Sequence, residues 1–87
     1  MRFLLATIAL ILLSTPAYAD RPVTPTERTA IEKALTEIGC TGGKYEAEKD
    51  DGILEGYEVD NARCADGALY DIDLDVNFNI TDKDKED

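Results

Sequence analysis

The sequence predicts an α+β domain: one N-terminal helix packed on a three- to four-stranded antiparallel β-meander, with one disulfide. Three observations predict it. Apolar residues recur at helical spacing from Ala30 to Ile38. After Gly43 the period changes to two, and Asp-Gly turn signals divide the runs. Cys40 follows the end of the predicted helix and Cys64 lies near the last turn, so a bond between them would tie helix to sheet.

The first nineteen residues read as a leader. Arg2 supplies a positive start, Phe3 to Leu13 are almost wholly apolar, and Ala17-Tyr18-Ala19 offers small residues at both positions a signal peptidase reads. The apolar run falls short of the ~20 residues that span a bilayer. Residues 1–19 are therefore expected to be a signal peptide, with a periplasmic or secreted product and no membrane span after cleavage. In an oxidising compartment two cysteines normally pair. The loop they close is roughly 25 residues, and the chain-entropy model gives such a loop ~3–4 kcal/mol. A redox pair would normally be C-x-x-C, and a zinc site needs more ligands.

Residues 20–23 are expected to form a flexible lead. Thr24-Pro25-Thr26-Glu27 is a helix start, with Thr24 as N-cap, Pro25 at the first helical position and Glu27 completing a capping box. Ala30, Ile31, Ala34, Leu35 and Ile38 then share one face, and Gly39 is a natural stop. Ile31, Leu35 and Ile38 are expected to cover the sheet. Tyr45 and Ala47 alternate with charges as far as the Asp50-Asp51-Gly52 turn. Ile53 to Asn61 reads as the next strand, with Gly56 marking a bulge. Ala65-Asp66-Gly67 is a second turn. Beyond it Ala68, Tyr70, Ile72, Leu74, Val76 and Phe78 take every even position, and Asp71, Asp73, Asp75, Asn77 and Asn79 take the odd ones. That alternation suits an antiparallel sheet with one covered face and one wet face. Residues 81–87 are expected to be an acidic, disordered tail.

The residues from 24 to 80 resemble a PepSY domain. The resemblance rests on the helix Ala30 to Ile38, on Tyr45 to Gly52, and on Gly56-Tyr57-Glu58-Val59. It closes on Asp66-Gly67 followed by Tyr70-Asp71-Ile72-Asp73-Leu74-Asp75. The family's closing strand tends to run into a turn with Gly, where this chain has Val76-Asn77-Phe78-Asn79. A disulfide is not a general family mark either. The resemblance implies a non-catalytic, protein-binding module, since such domains occur in metalloprotease propeptides and as small exported proteins. It implies a modulator or inhibitor of extracytoplasmic proteases, and it brings no catalytic residues.

Composition narrows the chemistry. The chain has 19 Asp+Glu against 9 Lys+Arg, a net charge of −10, and no His. A field of that sign repels nucleic acid and attracts cations or a basic protein surface. The commonest general base and metal ligand is missing, and the only Ser, Ser14, lies in the leader. No enzyme activity, cofactor or metal site is expected. Asp71, Asp73 and Asp75, with Glu58 and Asp60 across from them, are the candidate acidic binding face. The D-x-D-x-D spacing echoes a calcium loop, but the sixth position is Val76 rather than Gly. A solvated face, weak cation binding (an acidic calcium-binding periplasmic protein being the alternative function) and a basic partner, whether a protease or another protein, are the readings the sequence leaves.

Overall fold

The computed structural model describes residues 21–86, so the expected leader at 1–19 lies outside the described residues. Its elements run β1 (Arg21–Pro22), α1 (Pro25–Glu37), β2 (Cys40–Thr41), β3 (Lys44–Asp50), β4 (Ile53–Cys64), β5 (Leu69–Leu74) and β6 (Ile80–Lys85). All the strand pairings are antiparallel, in the order β1-β3-β4-β5-β6, with β2 pairing β4. The α+β class and the disulfide are as the sequence predicts, and the sheet is larger.

The helix begins where its capping box places it. Glu27 N donates to Thr24 Oγ1 at 3.1 Å, and Thr24 N donates to Glu27 Oε1 at 2.8 Å. Two donors that the helix cannot satisfy internally are thereby satisfied. The helix ends at Glu37, with Gly39 at φ 79° turning the chain toward the sheet. Ile31 and Leu35 are fully buried and meet Tyr45, Ala47, Tyr57, Val59, Ala62, Ile72 and Leu74 of the sheet. Burying an aliphatic side chain of this size contributes about 1.5–3 kcal/mol. Ile38 departs from expectation. It is the C-cap, its backbone has left the helical path, and it is 38% exposed rather than in the core.

Asp51 at φ 52° and Gly52 at φ 77° make the tight β3–β4 turn. The pairing slips between Glu48 and Lys49, opposite Gly56. A Cβ at Gly56 would collide with the Leu74 carbonyl, so glycine there lets β4 and β5 approach. Cys40 and Cys64 face each other across β2 and β4 and are disulfide-bonded, both nearly buried.

Three further expectations are corrected. Arg21–Pro22 is not a flexible lead: it pairs with Ala47 and Glu46 as β1. Arg21 also donates from Nη1 and Nη2 to Glu27 at 2.9 Å each, and this charge-assisted fork fixes the segment. The alternating strand does not run on to Phe78. Asp75 Oδ1 accepts from the backbone N–H groups of Asn77 and Asn79, both at 2.9 Å, and folds 75–79 into a turn. A short side chain that captures nearby N–H groups competes with the ladder, and here it wins. The tail from residue 81 is not disordered. Ile80–Lys85 returns along β5 as β6, Lys83 lies over the Tyr70 ring at 4.4 Å, and Glu86 N donates to Leu69 O at 2.8 Å.

Candidate acidic interface

One face of the sheet carries the helix, and the other carries the carboxylates. In strand register Glu46 pairs with Glu58, Glu58 with Asp73, and Asp73 with Asp82. Those pairings form an unbroken acidic row across β3, β4, β5 and β6. Beside it Lys44 pairs with Asp60 and Asp71 with Asp84. Glu48 hydrogen-bonds Glu58 from the neighbouring strand. Period-two alternation puts these side chains on one face, because successive strand residues point to opposite sides.

Of the candidates, Glu58, Asp60, Asp71 and Asp73 are brought together on this face. Asp75 is not. It sits past the end of β5, holding the 75–79 turn, and its turn hydrogen bonds lower its pKa. Four acids the sequence did not single out join instead: Glu46 and Glu48 from β3, Asp82 and Asp84 from β6. The signal for the first two was the alternation in Lys44 to Lys49. For the second two it was the alternating charge in Ile80 to Lys85, which also suits a solvated tail.

The carboxylates perturb one another. Partial burial raises Glu58 to about 7, helped by the charge of Asp60, the Glu48 hydrogen bond and the charges of Glu48 and Asp73. Asp60 is raised by burial and then by Asp71 and Glu46, and Asp73 by burial and then by Asp82 and Asp71. Asp84 is raised first by its hydrogen bond with Asp82. Lys44 offsets part of this charge, 3.4 Å from Glu46, but its side chain is 75% exposed and the pair is screened by water. Glu46, Glu58 and Asp60 can bring one oxygen each within 4.8 Å of one another.

A second polar cluster lies at the helix start. Glu27 accepts from Arg21, from Thr24 N and from Tyr57 Oη at 2.7 Å, and Arg21 foremost lowers its pKa to about 2. Its bonds run to Arg21 on β1, to the Thr24 cap and to Tyr57 on β4, so the cluster staples β1, α1 and β4 together. A cleft of about 370 Å³ lies between α1 and the turn after β2. Arg28 there stacks over Tyr45 at 4.5 Å and stands 3.9 Å from Glu32. It offers no nucleophile with an adjacent base.

No family model, curated protein or solved structure matches this chain. Among the described residues no helix is long and apolar enough to cross a membrane.

Proposed function

We propose that this chain is an exported, non-catalytic binding domain whose acidic sheet face receives a cationic surface of a partner protein. The observation that carries the proposal is the row Glu46–Glu58–Asp73–Asp82, in register across four adjacent strands. Like charges directly opposite one another destabilise a sheet. Solubility alone is served as well by interspersed signs. A partner presenting Lys or Arg would relieve the repulsion and be steered by the field. The disulfide and the leader-like start support an oxidising, extracytoplasmic compartment. The PepSY-like pattern supports an extracytoplasmic protease as the partner class, with restraint of that protease as the outcome.

A second reading, a divalent cation held by Glu46, Glu58 and Asp60, is favoured by their oxygen separations. Two arguments place it second. Calcium takes 6–8 oxygen ligands, and one atom from each of three strand residues supplies few of them. A carboxyl raised to about 7 also holds a proton through much of the neutral range, and a cation must displace it. Calorimetry with calcium at physiological salt decides between the readings, and a flat titration removes the second.

The first reading is tested by capture from an extracytoplasmic extract. The baits are the wild type and a variant carrying Glu58→Gln, Asp73→Asn and Asp82→Asn. The expected result is a hydrolase recovered and slowed by the wild type, and lost from the variant at low salt. Recovery of the same proteins by both baits would remove the face as the contact. Recovery of no hydrolase would remove the protease.

A further inference from the structure

The acidic row ends at Asp82 on β6, the last strand of the sheet, and among the described residues nothing pairs with its outer side. The opposite edge is different. β3 is covered at Glu46 and Ala47 by β1, whose Pro22 has no N–H to offer a further strand.

The β6 edge has a definite polarity. Lys85 is opposite Tyr70, while Glu86 N donates to Leu69 O. In an antiparallel ladder this makes Lys85–Tyr70 a non-hydrogen-bonded pair. The backbone N–H and C=O groups of Lys85, and by alternation those of Lys83, therefore turn to the open side. Asp82 and Asp84 project to the acidic face, and Lys83 projects to the helix face, where its ammonium lies over Tyr70. The Lys83 side chain is thus drawn back onto the sheet.

Charge on an edge strand ordinarily guards against unwanted pairing. Here it guards against one partner in particular. Two copies of β6 joined antiparallel about a two-fold axis place residues of equal parity opposite each other. In the registers that set Lys83 opposite itself or opposite Lys85, aspartate then meets an acid and lysine meets lysine, which is unfavourable. A foreign strand with a cation on the acidic side meets the opposite situation. Its Lys or Arg takes the next position in the row Glu46–Glu58–Asp73–Asp82.

We propose that the open edge of β6 adds an extended, basic segment of the partner protein as a further strand, its cations continuing the acidic row and its backbone pairing with Lys83 and Lys85. The inference rests on the acidic face as the contact and assigns the partner's shape: an extended strand with Lys or Arg at alternate positions. Main-chain pairing supplies the affinity in such additions, and the alternating side chains supply the specificity.

The test uses the mature protein and a synthetic peptide of about seven residues, a common strand length, alternating Lys and Thr. A backbone N-methylated version of that peptide keeps the charges and cannot donate to the edge. Amide exchange is followed by NMR with peptide in about tenfold excess over its Kd, where protection on the order of tenfold is expected. The unmethylated peptide should slow exchange at Lys83 and Lys85, and the methylated one should not. Lys83→Pro removes an outward donor without breaking an internal bond, so it should abolish the protection read at Lys85 while leaving the fold intact. If that variant does not fold, the methylated peptide decides. Perturbation of Glu58 and Asp73 by both peptides, with Lys83 and Lys85 unprotected, overturns the strand addition and leaves the acidic face standing. No response to either peptide overturns both.

Discussion

Glu58→Gln should stabilise the free protein at pH 8 and leave it almost unchanged at pH 5. Glu58 stands opposite Glu46 on one side and Asp73 on the other, with Asp60 two residues along β4. Its carboxyl is raised from the ordinary 4.5 to about 7. A carboxyl with a raised folded pKa holds its proton more tightly folded than unfolded. Stability is therefore lost as pH rises from 4.5 through about 7, and the loss is complete above it. At about 1.4 kcal/mol per pKa unit the ceiling is ~3 kcal/mol. Sharing of the effect among coupled carboxyls reduces the part owned by Glu58 to about 1–2 kcal/mol. Glutamine keeps the shape and a hydrogen bond for Glu48 without the charge. In a domain of this size 1 kcal/mol moves Tm by ~4–8 °C. Thermal unfolding followed by circular dichroism at low salt should show a rise of that order at pH 8, shrinking at pH 5 and in high salt. A Tm unchanged at pH 8, or raised equally at both pH values, would refute the reasoning.

Three further outcomes are expected. Glu27→Ala should cost about 2–4 kcal/mol in denaturant unfolding, because it removes the carboxylate half of the capping box, the Arg21 fork and the Tyr57 bond together. Glu27 has a folded pKa lowered to about 2, so its stabilisation is present above pH 4.5 and is lost as acid titration falls toward 2; the variant should lack that acid limb. Leu74→Asp should unfold the domain and Asp73→Leu should not, since Leu74 is 3% exposed against the core while Asp73 lies on the open face; equal melting curves would contradict the register. Cys64→Ser should cost ~2–5 kcal/mol, and intact mass of the native protein should show two hydrogens fewer than the reduced form.

What the sequence disclosed was mostly local. Thr24, Pro25 and Glu27 act within one turn of one another, so the helix start was readable from their spacing. The same holds for the Asp51-Gly52 turn and for Tyr70 to Leu74, where alternation and structure coincide. Structure departs from the sequence pattern where a distant or competing contact decides. Thr81 to Lys85 is all polar and has no apolar face to announce a strand. Pairing with β5 and the Lys83–Tyr70 contact hold it, and both depend on residues far along the chain. Val76 and Phe78 continued the even-numbered apolar pattern, yet Asp75 bonds to Asn77 and Asn79 and bends the chain. Phe78 then takes φ 65° and stacks on Tyr57 at 4.8 Å instead of extending β5. Asp75 left the acidic face for that reason. Glu46, Asp82 and Asp84 entered it because cross-strand register, invisible in a single sequence, brought them opposite Glu58, Asp73 and Asp71.

The central claim is that the acidic sheet face is where a cationic partner docks. Its most direct test is the association rate of the captured partner with the wild type and with the Glu58→Gln, Asp73→Asn, Asp82→Asn variant, at low and high salt. Electrostatic steering falls steeply with ionic strength. Association should be about tenfold or more slower for the variant at low salt, with the gap closing as salt is added. Equal association rates at low salt would contradict the claim and return these carboxylates to the role of a solvated surface.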